Sequence, residues 1–286
     1  MKSLLITSVK VILPGNKFHQ QQVDVFIEDG KIAQIGKSVK LADKDSETID
    51  GSGKILAPGF FDLHANFGEP GLETKEDILS GTAAAAAGGF TGVAVMPNTE
   101  PAIQSRSEVA LIVNTAKGNI VDVHPIGAIS KKREGKELAE LFDMKQTGAV
   151  AFSDGNRSVQ QAGLMSRALL YAKGFNGLIF SHAEDESMAG GNKMNEGAMS
   201  TYLGMKGIPN LAESLMVSRD LYLAEYTGAP IHFASISTPE AVDLIKKAKA
   251  KGLQVTCDVA AHQLVFTDED IVGFDSNYKV SPPLRT

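Results

Sequence analysis

The chain has 286 residues, of which 43% are hydrophobic and 22% are charged, and its formal net charge is −6 at pH 7. This length fits one large α/β domain with a small appendage, or two modest domains. The basic residues are scattered along the chain, which excludes the basic stripe of a nucleic-acid-binding protein. No apolar run has the length of a transmembrane helix, so neither a nucleic acid nor a membrane is expected as a partner.

The single cysteine, Cys257, excludes an internal disulfide framework and fits a reducing, cytoplasmic compartment. Its neighbours Thr256 and Asp258 bring no positive charge that would activate a thiolate. We therefore predict that Cys257 is a small apolar residue buried in a strand.

Residues 1–58 differ in pattern from the rest of the chain. The β-branched segments 4–13, 23–35 and 49–56 are punctuated by the turn signals Pro14-Gly15, Asp29-Gly30 and Gly51-Ser52-Gly53. This pattern is typical of antiparallel strands joined by tight turns. Because a few short strands form only a small sheet, we expect residues 1–58 to form a minor domain that packs on something else.

From residue 60 onward, strand patterns alternate with helix patterns. Strands are predicted over residues 60–67, 92–97, 121–129, 149–154, 178–183, 231–237 and 254–260. Helices are predicted over residues 76–87, 107–116, 135–145, 160–172, 211–226 and 239–251. Such alternation indicates parallel strands joined by crossover helices.

A doubly wound sheet and a barrel are the two folds compatible with this alternation. The first strand is not followed by a G-x-G-x-x-G phosphate turn, which favours the barrel. We predict an α/β fold, a TIM-like (β/α)8 barrel over residues 59–286 with a small N-terminal β portion. Since only seven strands can be identified and closure needs eight, we expect the last strand to lie beyond Thr286, in a longer chain.

Polar residues cluster at the carboxyl ends of the predicted strands, where barrel enzymes place their chemistry. They are His64 and Asn66, then Asn98, Asp154, His182 and Ser235. Because these strand ends converge on one mouth, His64, Asp154 and His182 could share a divalent metal. A long connection over residues 184–209 has the length of a lid or binding loop.

The other histidines of this region have weaker claims to a site. His124 and His232 lie within predicted strands and are expected to be hydrogen-bonded core residues. His262 follows the seventh strand, and the sequence leaves open whether it faces the mouth or has a structural role.

A series of motifs resembles one family in both content and order. The motifs are Pro58-Gly59-Phe60-Phe61-Asp62-Leu63-His64, Met96-Pro97-Asn98-Thr99, Phe152-Ser153-Asp154-Gly155, His182-Ala183-Glu184-Asp185, Asn195-Glu196-Gly197, Ile236-Ser237-Thr238 and Lys279-Val280-Ser281-Pro282-Pro283-Leu284-Arg285. In this order they are similar to the dihydroorotases, which are cyclic amidohydrolases of the amidohydrolase superfamily. The resemblance covers essentially the whole chain.

The resemblance implies a metal-dependent barrel enzyme of pyrimidine biosynthesis that interconverts dihydroorotate and N-carbamoyl-aspartate by metal-hydroxide attack on a ring amide. It implies one or two zinc ions held by His64, Asp154 and His182, substrate binding by Asn98, and a catalytic aspartate beyond Thr286. It also implies a homodimer. The N-terminal strands resemble one portion of a small β-sandwich that the family completes with its C-terminal segment.

The chain departs from the family pattern at positions that the chemistry uses. Asn66 replaces a metal-binding histidine, and an amide is a poor ligand for a transition metal. Gly68 replaces the arginine that clamps the substrate carboxylate. Ser235 replaces a further histidine, and Ser281 replaces an asparagine. Gly155 follows Asp154 where the family has a second aspartate.

Three hypotheses follow. The chain could be a working cyclic amidohydrolase, with dihydroorotate the leading substrate and activity impaired by the replaced positions. Alternatively it could be a catalytically silent homologue, without bound zinc, that serves as a scaffold for aspartate transcarbamoylase. The third hypothesis is a protein that binds a metabolite at the barrel mouth without turning it over.

Overall fold

The structure is a computed structural model that describes residues 3–39 and 46–286. The chain divides into two compact units, Met1–Phe60 and Phe61–Thr286. Within the described residues, no helix combines the length and apolar character that a membrane crossing requires.

The N-terminal unit is a five-stranded sheet. Its strands are β1 (Leu4–Val11), β2 (Gln22–Glu28), β3 (Lys31–Gly36), β4 (Glu47–Asp50) and β5 (Ile55–Leu56). Strands β1, β2 and β3 pair antiparallel, as predicted, but β4 and β5 both pair parallel to β1. The prediction of one antiparallel strand over residues 49–56 was therefore wrong. The segment turns at Gly51, whose N–H donates to the Thr7 carbonyl at 2.8 Å and whose missing side chain permits this approach.

The second unit contains the barrel elements. Its strands are β6 (Phe60–Ala65), β7 (Phe90–Val95), β8 (Asp122–Gly127), β9 (Ala151–Phe152), β10 (Ile179–His182), β11 (Met194–Asn195), β12 (Gly207–Ile208), β13 (Ile231–Ala234) and β14 (Val255–Cys257). Its helices are α1 (Ile78–Ala87), α2 (Arg106–Thr115), α3 (Leu141–Thr147), α4 (Ala162–Lys173), α5 (Glu186–Ala189), α6 (Ala198–Tyr202), α7 (Asn210–Thr227) and α8 (Pro239–Ala250).

Seven of these strands form one sheet in the order β14-β13-β10-β9-β8-β7-β6, and its pairings from β7 to β14 are all parallel. Each predicted barrel strand corresponds to one of them. Within the described residues no strand joins β14 to β6. The carboxyl ends of the six strands from β7 to β14 in this sheet consequently lie along one edge.

The two faces of the sheet are both apolar, because alternate residues of a buried parallel strand point to opposite sides. Along β7, Val93 and Val95 pack in the main core with the helices, whereas Ala94 belongs to a smaller cluster on the other face. Met96 and Phe180 join that smaller cluster. The main core thus fixes the helices against the sheet and leaves the strand ends to carry polar groups.

Local capping explains where the crossover helices begin. The Asp77 side chain accepts from Ser80 N at 2.7 Å at the start of α1, and Thr238 caps α8 with Pro239 as its first residue. The third helix was predicted over residues 135–145 but begins only at Leu141. A 3-10 turn over Lys131–Arg133 and an isolated bridge occupy the preceding residues.

The connection over residues 184–209, predicted as a lid or binding loop, contains α5, α6 and the two-stranded parallel sheet β11-β12. One further prediction needs correction, because Cys257 is exposed, not buried. It lies on β14, which pairs only with β13 among the described residues and therefore has one uncovered edge.

Candidate functional site

An open cavity of about 510 Å³ is lined by β6, by Phe90 at the start of β7, and by residues that follow β13 and β14. Its lining includes five of the residues singled out from the sequence: His64, Asn66, Ser235, His262 and Ser281. His262 thus lies beside the cavity, although its Nε2 is buried, and its role stays open. Asp258, which follows β14, also lines the cavity.

His64 is half-buried near the end of β6. Its backbone N–H donates to Asp62 Oδ1 at 2.8 Å, whereas its buried Nδ1 has no hydrogen-bond partner among the described residues. Burial lowers the pKa of His64, more than the negative charges of Asp258 and Asp62 raise it. The imidazole of His64 thus lines the cavity, while its Nδ1 is shielded from it.

His182, the last residue of β10, is buried beside a separate cavity of about 10 Å³, the size of one water molecule. Burial, together with the charge of His64, lowers the pKa of His182 to about 4. The Ser158 hydroxyl donates to the His182 carbonyl and accepts from Glu184 N at 2.8 Å. These bonds fix the backbone on which the imidazole is carried.

Asp154 lies two residues beyond β9 and is only 2% exposed. Its Oδ1 accepts from Ser130 N at 2.9 Å and its Oδ2 accepts from Ser130 Oγ at 2.5 Å. Burial raises the pKa of Asp154, and the Ser130 hydrogen bonds oppose that shift. Both carboxylate oxygens are thus used to hold the loop after β8.

Asn98 and Asn66 are joined side chain to side chain. Asn98 Nδ2 donates to Asn66 Oδ1 at 2.7 Å, and Asn98 Oδ1 accepts from Arg133 Nη1. The one substrate position that matches the family, Asn98, is therefore tied to a position that departs from it, Asn66.

Gly68, where the family has its arginine clamp, is enclosed by backbone. A Cβ at this position would overlap the Leu72 carbonyl oxygen and lie 2.7 Å from the Glu76 carbonyl oxygen. A side chain cannot be added here without moving the segment that follows β6.

Ser235 is held by Asp258. Ser235 has a positive φ of 56°, and its N–H donates to Asp258 Oδ1 at 2.7 Å. The other oxygen of Asp258 lies 2.8 Å from His232 Nε2, and His232 Nδ1 lies 2.8 Å from Thr256 Oγ1. Although burial opposes it, hydrogen bonding from His232 and Ser235 lowers the pKa of Asp258.

These bonds confirm that His232 is a hydrogen-bonded core histidine, with both ring nitrogens engaged. The same prediction for His124 was wrong. His124 is half-buried, stacks against Phe61 with ring centroids 5.4 Å apart, and makes no side-chain hydrogen bond to a described residue.

Sequence reasoning missed Asp258, Ser130 and Arg133. Asp258 carried a usable signal, since it is an acidic residue directly after the seventh strand. Ser130 and Arg133 follow the third strand, but nothing in their local sequence indicates contact with Asp154 or Asn98.

The residues present do not fit a metal ion as they are arranged here. Among residues 3–39 and 46–286, no three His, Cys, Asp or Glu side chains form a group that could hold one. Asn66 and Ser235 offer only an amide and a hydroxyl, which are weak ligands for a transition metal. The set His64, Asp154 and His182 stays a prediction.

The fold and the order of its strand-end residues define a cyclic-amidohydrolase type of barrel, and comparison with known proteins is specific about the family. A family model described as Dihydro-orotase-like matches residues 53–241. The dihydroorotase of Pelotomaculum thermopropionicum is 49% identical over 266 residues, 93% of this chain and 62% of that protein. The dihydroorotase of Geotalea daltonii is 45% identical over 284 residues, 99% of this chain and 66% of that protein. The chain belongs to the dihydroorotase-like family, as its motifs predicted.

The chain spans just under two thirds of the length of these two relatives. Among solved structures, the L-hydantoinase (dihydropyrimidinase) of Arthrobacter aurescens matches with a TM-score of 0.81 and 24% identity. The match covers 100% of this chain and 64% of that protein. This likeness in fold confirms the predicted α/β barrel architecture.

Proposed function

We propose that the chain belongs to a dihydroorotase homologue of pyrimidine biosynthesis that binds a cyclic ureide such as dihydroorotate at the strand-end cavity and hydrolyses it poorly. One observation carries the proposal: among residues 3–39 and 46–286, no three His, Cys, Asp or Glu side chains form a group that could hold a metal ion. The replacements at Asn66 and Ser235 act in the same direction, because neither side chain is a strong zinc ligand.

The cavity still offers groups that can bind a polar ring. The side chains of His64 and His262 both line it and can contact the face of a flat ring. Asn66 and Ser235 line the same space, and their amide and hydroxyl groups can hydrogen-bond the polar edge of a ureide.

The test uses the natural full-length protein, with calorimetric binding of dihydroorotate measured beside its hydrolysis in the presence of added zinc. We expect saturable binding accompanied by little turnover. Absence of binding would contradict the proposal. Turnover matching that of the Geotalea daltonii dihydroorotase would contradict the part that states poor hydrolysis.

A scaffold role is the second candidate. It is favoured by the contrast between an intact apolar core, which includes Val95, Phe152 and Phe233, and altered strand-end residues. The partner predicted from the family resemblance is aspartate transcarbamoylase, and a homodimer is predicted on the same basis. Light scattering of the full-length protein, alone and mixed with transcarbamoylase from its own organism, tests both. A lone monomer that leaves transcarbamoylase activity and mass unchanged would exclude this role.

A further inference from the structure

We propose that Arg133, which is linked through Asn98 to the cavity-lining Asn66, binds the carboxylate of an anionic cyclic ureide and takes over the clamp role that the family resemblance assigns to position 68. The inference rests on the proposed function, since it concerns the ligand of the same site. It assigns a specificity role to a residue outside the set predicted from the sequence.

The original clamp position is closed in this chain. Gly68 N donates to the Glu76 carbonyl at 2.9 Å, and the Gly68 carbonyl accepts from Leu72 N at 2.9 Å. Since a Cβ at residue 68 would collide with the Leu72 and Glu76 carbonyl oxygens, an anion-binding side chain must come from elsewhere.

Arg133 is held in an unusual backbone conformation near the strand-end residues. Lys132 and Arg133 both have positive φ, 54° and 55°, a conformation that costs energy in residues other than glycine. Local hydrogen bonds maintain it: Arg133 N donates to the Ser130 carbonyl at 3.0 Å, and Gly135 N donates to Ser130 Oγ at 2.8 Å. Strain of this kind is often kept where it orients a functional side chain.

The guanidinium of Arg133 has a free edge. Its Nη1 donates to Asn98 Oδ1, to the Asp154 carbonyl at 3.2 Å and to Asn156 Oδ1 at 3.2 Å, all uncharged acceptors. Among the described residues, no carboxylate forms an ion pair with Arg133, and its Nε and Nη2 make no hydrogen bond. An Nε–Nη2 edge is one that binds a carboxylate through two parallel bonds.

A second arginine adds positive charge at the same place. Arg157 Nη1 donates to the Arg133 carbonyl at 3.2 Å, and Arg157 also lacks an ion-pair partner in the described part of the chain. Two neighbouring guanidinium groups, neither of them in an ion pair with a described carboxylate, favour an anion.

Gly155, which departs from the family pattern, leaves space for the contact between Asn98 and Arg133. Gly155 has a positive φ of 68°, and a Cβ there would overlap Asn98 Oδ1 and lie 3.0 Å from Arg133 Nη1. An aspartate at this position would therefore disrupt the contact between Asn98 and Arg133. The contact between Arg133 and Asn98 therefore depends on having glycine at position 155.

The test compares dihydroorotate with dihydrouracil, which has the same ring without the carboxylate. Calorimetry on the full-length protein should show tighter binding of dihydroorotate. Arg133→Met should weaken dihydroorotate binding roughly 10- to 100-fold, the effect of losing a hydrogen-bonded charge, and leave dihydrouracil binding unchanged. Arg167→Met, at an exposed position on α4, is the matched control and should change neither affinity.

The outcomes separate the two claims. If dihydroorotate binds the wild type and Arg133→Met equally well, the role of Arg133 is overturned while the proposed function stands. If the wild type binds neither compound, both are overturned. Arg133→Lys keeps the positive charge but loses the planar guanidinium that makes two parallel hydrogen bonds, so it should give an intermediate affinity for dihydroorotate. This variant replaces Arg133→Met in the test if Arg133→Met misfolds.

Discussion

His182 makes stability depend on pH through its burial. Unfolded, the imidazole takes up a proton near its ordinary pKa of 6.5, whereas folded His182 does so only near a pKa of about 4. Between these values the unfolded chain binds more protons, so stability falls as pH decreases through this window.

We expect the free energy of unfolding to drop by about 2 kcal/mol between pH 7 and pH 5 because of His182 alone. Urea unfolding of the wild type and of His182→Gln over this range measures the difference. His19→Gln, in the N-terminal unit, is the control for loss of a histidine. Equal pH slopes for the wild type and His182→Gln would contradict the explanation.

Substitution of Gly155 tests whether the stability of the fold depends on the space left for the Asn98–Arg133 contact. Gly155→Ala should cost roughly 1–3 kcal/mol, since the new Cβ combines backbone strain with a collision against Asn98. Gly118→Ala has a similar positive φ of 85° but nothing within 4 Å, so it reports the strain alone.

A double-mutant cycle measured by urea unfolding isolates the collision. In an Asn98→Ala background, the cost of Gly155→Ala should decrease to about that of Gly118→Ala. Additive costs in the cycle would show that Gly155 and Asn98 do not interact.

At the scale of elements, α7 and α8 are joined by a buried carboxylate. Glu213 of α7 accepts from Thr238 N at 2.9 Å and from Ser237 N at 3.1 Å, at the start of α8. It also lies 3.7 Å from the Nη2 of buried Arg285. One side chain thus satisfies a helix N-terminus and a buried guanidinium.

Glu213→Gln should therefore destabilise the protein by about 3–5 kcal/mol, because Arg285 would remain buried without its charge partner. Glu137→Gln removes an exposed ion pair with Lys131 at 3.2 Å and should cost less than about 1 kcal/mol. Chemical unfolding of both variants makes the comparison, and similar losses would refute the role assigned to Glu213.

Whether an element could be predicted from the sequence depends on whether the contacts that stabilise it are local in the chain. Strands β7 and β10 were predictable because they are buried on both faces and appear as short apolar runs. Helix α3 was placed too early because the 3-10 turn and the Ser130–Leu138 bridge depend on loop contacts that have no periodic signal.

The same reasoning applies to the site. His64, Asn98, Asp154 and His182 could be selected because each follows a strand in a recognisable motif. That Asp154 would be engaged by Ser130, 24 residues away in sequence, depends on tertiary geometry. The contact of Arg133 with Asn98 is equally non-local, so its role could come only from the structure.

At the scale of the whole molecule, family membership predicts a metal-dependent enzyme, whereas the strand-end residues do not form a metal site. Relatives at 49% and 45% identity are dihydroorotases, yet the residues described here form no metal-binding group. The composite β-sandwich predicted for residues 1–58 remains a proposal, as does the aspartate expected beyond Thr286.

The most direct measurement is the metal content of the natural full-length protein after zinc loading and dialysis, paired with dihydroorotate hydrolysis. We predict substoichiometric zinc and turnover at least about a thousandfold below that of the Geotalea daltonii dihydroorotase assayed in parallel, as expected when the main electrostatic stabilisation of a transition state is lost. Chelator treatment should leave the melting temperature unchanged. Stoichiometric zinc with turnover at the level of that relative would contradict the account and would make Asn66 and Ser235 tolerated replacements in a working metal site.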